Sequence, residues 1–123
     1  MSSDCLFCKI IAGIIPATIV HKDHRLTAIR DINPQAPTHV LILPNRHIAS
    51  VAEAEAGDEP LLGALLRTAS QLAEKDGLMP GGYRLVVNTG PDAGQSVFHL
   101  HVHLLGGRRM RRVWTGRFRF GFR

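Results

Sequence analysis

Between Phe98 and Leu105 three histidines alternate with aliphatic residues, in the order His99, Leu100, His101, Val102, His103, Leu104. On a β-strand this period of two sends the three histidines to one face and Leu100, Val102 and Leu104 to the other. The aliphatic face can anchor in a core. The other face then carries imidazoles about 6.5–7 Å apart, from a rise of roughly 3.3 Å per residue. Neighbouring histidines at this spacing can share a metal ion, but the first and third stand about 13 Å apart, too far for one ion to bind all three. Imidazole titrates near pH 6.5, so three stacked rings repel one another when charged, and packing alone explains the row poorly. The chemistry that fits is nucleophilic and acid–base: one imidazole attacks while its neighbours hold or protonate the substrate.

The rest of the chain must supply a sheet for that strand. Residues 4 to 12 predict one or two helical turns, ended by Gly13, with Pro16 barring continuation. Thr18–His21 and Leu26–Asp31 read as a hairpin closed by Lys22-Asp23-His24. After the turn Asn33-Pro34-Gln35-Ala36-Pro37, the apolar run His39–Leu43 predicts a strand buried on both faces. Residues 48 to 57 form an acidic, alanine-rich connection. Asp58 then predicts a helix N-cap, with Glu59 and Pro60 in the first turn. Leu61, Leu62, Leu65, Leu66, Ala69, Leu72 and Ala73 describe one apolar face, and Gly77 is the C-terminal cap. Pro80-Gly81-Gly82 leads into a strand from Tyr83 to Asn88, and the turn-rich Thr89–Ser96 delivers the chain to the histidines. Five strands and two helices in this order predict an α+β domain, an antiparallel sheet with helices packed against it.

Composition sets the outer bounds. The 123 residues suit one domain with a modest core, and 45% apolar with 20% charged residues is ordinary for a globular protein. The net charge of +5 is local: seven arginines and no acids lie from Arg108 to Arg123, leaving eight basic against ten acidic side chains elsewhere. The body therefore gives no support for nucleic-acid binding, and only the tail would do so. No apolar run approaches membrane-span length and none follows a basic N-terminus, which predicts a cytoplasmic protein without membrane contact. Cys5 and Cys8 are then either reduced, as two small buried residues, or metal-bound.

Several motifs at consistent spacing resemble the histidine triad (HIT) family. They are Leu6-Phe7-Cys8-Lys9-Ile10-Ile11, the run Asp31–His39, Pro44-Asn45-Arg46-His47-Ile48, Val87-Asn88-x-Gly90 and the His-x-His-x-His strand itself. The Gly94-Gln95-Ser96 lead-in and the Gly106-Gly107-Arg108 exit look like the Hint branch, the purine nucleoside phosphoramidases, in a bacterial type with an N-terminal Cys-x-x-Cys. The resemblance implies a HIT-like fold over residues 1–110, with its five-stranded sheet extended across a homodimer. It also implies cleavage of the P–N bond of purine nucleoside 5′-phosphoramidates through a nucleotidyl-histidine, with no cofactor needed for catalysis. A dinucleoside polyphosphate hydrolase, or a nucleotide-binding regulator with incidental hydrolysis, are the alternatives.

Carried over residue by residue, the resemblance makes His101 the nucleophile, with its second nitrogen donating to a backbone carbonyl, that of His99. It places His103 against the phosphate oxygens, and Gly94, Gln95 and Ser96 near the phosphate and leaving group. Asn88 falls on the phosphate side, and the Asp31 carboxylate on the two ribose hydroxyls, to which it offers two acceptor oxygens. Leu6, Phe7, Ile10, Ile29 and Ile32 correspond to an apolar slot for the base, or else are ordinary core. Cys5, Cys8, His47 and His99 would complete a structural zinc site of two sulfurs and two imidazoles. His21, His24 and His39 match no motif position with a role. The resemblance ends after Met110: Trp114 is displaced, the usual prolines are missing, and Arg and Phe alternate from Arg117 to Phe120. Residues 111–123 are expected to be a flexible tail.

Overall fold

The structure, a computed structural model, describes residues 4–113. Its elements are α1 (Leu6–Ile11), β1 (Ile19–Lys22), β2 (Leu26–Arg30), β3 (Thr38–Pro44), α2 (Glu59–Lys75), β4 (Tyr83–Val86) and β5 (Val102–Gly106), with 3-10 turns at Val51–Glu53, Ala56–Asp58 and Pro91–Ala93. The strands form one antiparallel sheet in the order β1-β2-β3-β5-β4. This is the α+β architecture expected, five strands and two helices. The expectations for Trp114 and the Arg/Phe alternation lie outside the described residues.

The alternation along each strand divides the core in two. Leu26, Ala28, Val40, Ile42, Leu100, Val102 and Leu104 join Leu65, Ala69, Leu72 and Ala73 of α2 on one face. Ile29, Leu41 and Leu43 join Phe7 and Ile10 of α1 on the other. Both faces of β3 are thus covered, and all seven of its residues are buried. Side chains as enclosed as Leu65 and Leu104, 1% and 0% exposed, are each worth about 1.5–3 kcal/mol of burial. At its C-terminal end α2 is tied to the sheet by Asp76, whose carboxylate accepts from Arg30 at 2.7 and 3.2 Å and from the Thr38 hydroxyl at 3.1 Å.

Three local expectations change. Asp58 stands at the N-cap of α2 without capping through its side chain; its carboxylate accepts the Glu55 N–H at 2.9 Å and pairs with Arg46. The preceding 3-10 turn already feeds the helix, so the carboxylate is spent closing that turn. Leu66, counted on the apolar face, is 49% exposed. The histidine strand begins only at Val102: the Leu100 N–H bonds to the Ile48 carbonyl at 2.7 Å instead of joining the ladder, which leaves Phe98–His101 as a bent approach.

β5 ends where Gly107, at φ +94°, turns the chain beneath Pro37; a Cβ there would lie 2.9 Å from the Pro37 Cβ. A left-handed backbone and a rigid ring leave no inexpensive relaxation. We expect Gly107→Ala to lower stability by about 1–3 kcal/mol, read as a shift in urea midpoint with unchanged m-value. A midpoint at or above the wild-type value would contradict this packing.

Candidate active site

A neutral imidazole carries one ring hydrogen, so the partner of one nitrogen decides what the other can do. His101 Nδ1 lies 2.7 Å from the His99 carbonyl, which can only accept. Nδ1 therefore holds the hydrogen, and Nε2 presents a bare lone pair. The edge of the Phe7 ring meets this imidazole at 5.1 Å between centroids, an aromatic wall that restricts its rotation.

His103, on β5, stands beside it with ring centroids 4.9 Å apart. This is closer than the strand spacing predicts, and His101 lies just before the start of β5. The ring of His99 leaves the row altogether. It is fully buried, its Nε2–H donates to the Pro44 carbonyl at 2.8 Å, and its Nδ1 faces Cys5 and Cys8. Of the three histidines only His101 and His103 therefore stand ring beside ring; His99 is turned to the cysteines.

His39 is the residue that motif reasoning left without a part. The Gln35 N–H donates to His39 Nδ1 at 3.0 Å, which places the His39 hydrogen on Nε2. That Nε2–H lies 3.0 Å from His103 Nδ1 and 3.5 Å from a carboxylate oxygen of Asp31. His103 Nδ1 must therefore accept, and its own hydrogen sits on Nε2. Burial holds His39 below the usual imidazole range despite Asp31. Burial, then the neighbouring His101 and His39, push His103 down to about 4. A trace of His39 existed in the sequence: a histidine opening an otherwise apolar, doubly buried strand needs a polar partner inside.

The remaining expected residues fall into distinct groups. Asp31 is partly exposed, and its other carboxylate oxygen accepts the Asn33 N–H at 2.8 Å. Ser96 is exposed, and Asn88 is half-buried just past β4. Gln95 is buried: its amide receives the Gly90 N–H at 2.8 Å and donates to the Ala49 carbonyl at 2.7 Å, so it pins the loop from within. Gly94 turns that loop at φ +91°. Phe7, Ile10 and Ile29 lie in the core of the α1 face, whereas Leu6 is 42% and Ile32 96% exposed. His101 is 8% exposed and His103 half-buried. A cleft beside the pair is lined by Cys5, Leu6, His47, Ser96 and Phe98.

Beside this pair Cys5, Cys8, His47 and His99 converge. The Sγ–Nδ1 separations are 3.4 Å for Cys5–His99, 3.4 Å for Cys8–His47 and 3.6 Å for Cys8–His99, and the two Nδ1 atoms stand 3.2 Å apart. Zinc bonds of about 2.3 Å to sulfur and 2.05 Å to nitrogen give tetrahedral edges of roughly 3.5 and 3.3 Å. The donor set and its spacing thus fit a structural zinc ion, and four protein ligands leave no place for substrate.

Residues 12–110 match the model of the HIT domain family. The chain is 48% identical over 108 residues to the purine nucleoside phosphoramidase of Escherichia coli K12, covering 88% of this chain and 91% of that one. It is 50% identical over 110 residues to the 14 kDa zinc-binding protein of Zea mays, covering 88% and 85% respectively. Among solved structures it superposes on a HIT family hydrolase from Legionella pneumophila with a TM-score of 0.86 and 52% identity, over 88% of this chain and 96% of that one. The family model spans most of the chain and the relatives are matched over most of their length, so the chain belongs to the HIT domain family.

Proposed function

We propose that the protein is a hydrolase that cleaves the P–N bond of purine nucleoside 5′-phosphoramidates, releasing a nucleoside monophosphate and an amine. One observation carries the reading: the 2.7 Å bond from His101 Nδ1 to the His99 carbonyl leaves an unprotonated Nε2 on a ring that stands beside His103. The Escherichia coli relative, a purine nucleoside phosphoramidase by name, supports the substrate class.

In this reading Nε2 of His101 attacks the α-phosphorus, the P–N bond breaks, and the departing nitrogen takes a proton from solvent to leave as the amine, a proton that the hydrolytic water later returns. Water then attacks the phosphorus of the nucleotidyl-histidine, and His101 is regenerated with its Nδ1–H unchanged. The His103 Nε2–H is free to donate to a phosphate oxygen where negative charge builds up. Its direction follows from the His39 contact that fixes the other nitrogen. Asp31 offers its carboxylate to the ribose hydroxyls, Asn88 and the Gly94–Ser96 segment flank the phosphate and leaving group, and the exposed Ile32 and Leu6 provide apolar surface for the base. Catalysis needs no cofactor, because nucleophile, donor and ribose acceptor are all side chains. When bound, zinc would hold Cys5, Cys8, His47 and His99 together as a structural brace. No described helix is long and apolar enough to cross a membrane. A cytoplasmic homodimer, joined sheet to sheet, with the domain spanning residues 1–110 and a separate tail at 111–123, completes the reading.

His101→Ala should abolish turnover of adenosine 5′-phosphoramidate while the circular dichroism spectrum is preserved; full activity in that variant would sink the assignment. Comparing kcat/KM for that substrate and a dinucleoside polyphosphate decides between the phosphoramidase and the polyphosphate hydrolase. His39→Phe keeps a buried ring but removes the donor to His103, and should lower kcat by up to about 100-fold with the fold retained. An unchanged kcat would show that His103 is oriented without it. Acid should also unfold the protein early. His103 binds a proton near pH 6.5 when unfolded but only near pH 4 when folded, so its contribution is complete above pH 6.5 and is lost as pH falls towards 4. At about 1.4 kcal/mol per unit the loss reaches at most about 3 kcal/mol. A thermal midpoint that stays level from pH 7 to pH 4 would contradict it.

A further inference from the structure

The Cys/His cluster and the His101 ring are joined at two points. The first is His99, whose Nδ1 faces the Cys5 and Cys8 sulfurs at 3.4 and 3.6 Å while its carbonyl accepts the His101 Nδ1–H at 2.7 Å. The second is α1. Cys5 and Cys8 bracket Phe7, and the edge of that ring packs on His99 at 6.0 Å and on His101 at 5.1 Å.

Outside the β5 ladder, residue 99 is held by the Phe7 ring against it, by the adjoining Leu100 N–H bond to the Ile48 carbonyl, and by its own two ring nitrogens. The ladder begins three residues later; of those nitrogens, Nε2 donates to the Pro44 carbonyl, and the hold of Nδ1 depends on what it meets. That nitrogen bears a lone pair, since the ring hydrogen is on Nε2. It stands 3.2 Å from His47 Nδ1 and close to both sulfurs, so four electron-rich atoms converge on one point. A cation there replaces weak thiol–imidazole hydrogen bonds with four metal–ligand bonds. Without one, the Nδ1 side of His99 keeps only these weaker thiol contacts.

We infer that the cluster is a metal-dependent brace for the nucleophile. A tetrahedral divalent cation held by Cys5, Cys8, His47 and His99 keeps the His99 carbonyl and the Phe7 edge where they lock the His101 ring, and His99 and Phe7 are positioning residues. The inference rests on the reading of His101 as nucleophile. It adds that the cluster governs how well that ring is aimed, beyond supporting the fold. Aim is a transition-state property, so losing the brace lowers kcat more than it raises KM.

The test uses the full chain with 15N-labelled histidine, zinc-loaded and after chelation, at a temperature where both forms keep their circular dichroism. The loaded form should show His101 in one tautomer with a slowly exchanging Nδ1–H. Chelation should let that ring average between tautomers and lower kcat on adenosine 5′-phosphoramidate about 10- to 100-fold, with KM within about twofold. In the same way, Cys5→Ser should lose metal affinity and His101 order together. Should the chelated chain unfold, the cobalt(II)-loaded protein decides: its visible bands report the ligand geometry and should shift when adenosine monophosphate binds next to His101. A folded chain, metal-free by elemental analysis, that keeps both the His101 tautomer and kcat would overturn the inference. So would cobalt bands indifferent to nucleotide, or a cluster that takes up neither metal. If the zinc-loaded chain fails to cleave the phosphoramidate, the functional reading falls, while the ring spectrum and the cobalt bands still judge the brace.

Discussion

A neutral imidazole has one hydrogen to place, and four rings here have theirs placed by backbone groups and by one another. The Pro44 carbonyl takes the hydrogen of His99 on Nε2, and the His99 carbonyl takes that of His101 on Nδ1. The Gln35 N–H claims His39 Nδ1 and so sends the His39 hydrogen to His103. Each assignment fixes what the opposite nitrogen offers: a lone pair facing the sulfurs on His99, a lone pair on His101 and an N–H on His103. Of these backbone groups only the Pro44 carbonyl belongs to a strand; the His99 carbonyl and the Gln35 N–H lie in the segments that lead into β5 and β3. Protonation of any of these rings would break the pattern. Burial, which keeps His39, His99 and His103 below the ordinary imidazole range, is therefore part of the design.

The sheet sets the histidine face by its register. Leu41 pairs with His103 across β3 and β5, and Val40 with Leu104, so one step along the ladder separates the histidine face from the α2 core. A one-residue slip would bury the imidazoles under α2 and expose Val102 and Leu104. The two cores guard against it from opposite sides, with α2 clamped on one face and the α1 residues Phe7 and Ile10 on the other. Phe7 belongs to both accounts, since it closes the smaller core and walls the His101 ring.

Periodicity reveals the parts of this arrangement that depend on pattern, and misses those that depend on a single backbone atom. The alternation from His99 to Leu104, the apolar stripe of α2 and the doubly buried β3 are all legible in the sequence, because burial writes itself into residue types at fixed spacing. The start of β5 is not, since it turns on the Ile48 carbonyl taking the Leu100 N–H. Asp58 has the residue type of a cap, but the competing 3-10 turn takes its carboxylate. Gln95 resembles a residue reaching for ligand and is consumed by the Gly90 N–H and the Ala49 carbonyl. His39 escapes notice because its partner is 64 residues away, and only the strand pairing brings them together.

Two histidine clusters lie on this face with donor atoms close enough to suggest metal, and hydrogen placement separates them. In Asp31, His39 and His103 the atoms stand 3.0 and 3.5 Å apart, spacings that an ion would accept. Yet His39 Nδ1 already receives the Gln35 N–H, so its hydrogen occupies the nitrogen that an ion would need, and coordination there would require an imidazolate or the loss of that bond. The contact is a hydrogen bond, and it serves the orientation of His103. In Cys5, Cys8, His47 and His99 the logic reverses: the Pro44 carbonyl draws the His99 hydrogen to the far side, and the near nitrogen turns a lone pair towards two thiols. Separations nearly alike thus lead to opposite conclusions, and a single backbone group beside each ring, an N–H for His39 and a carbonyl for His99, decides which cluster can hold an ion.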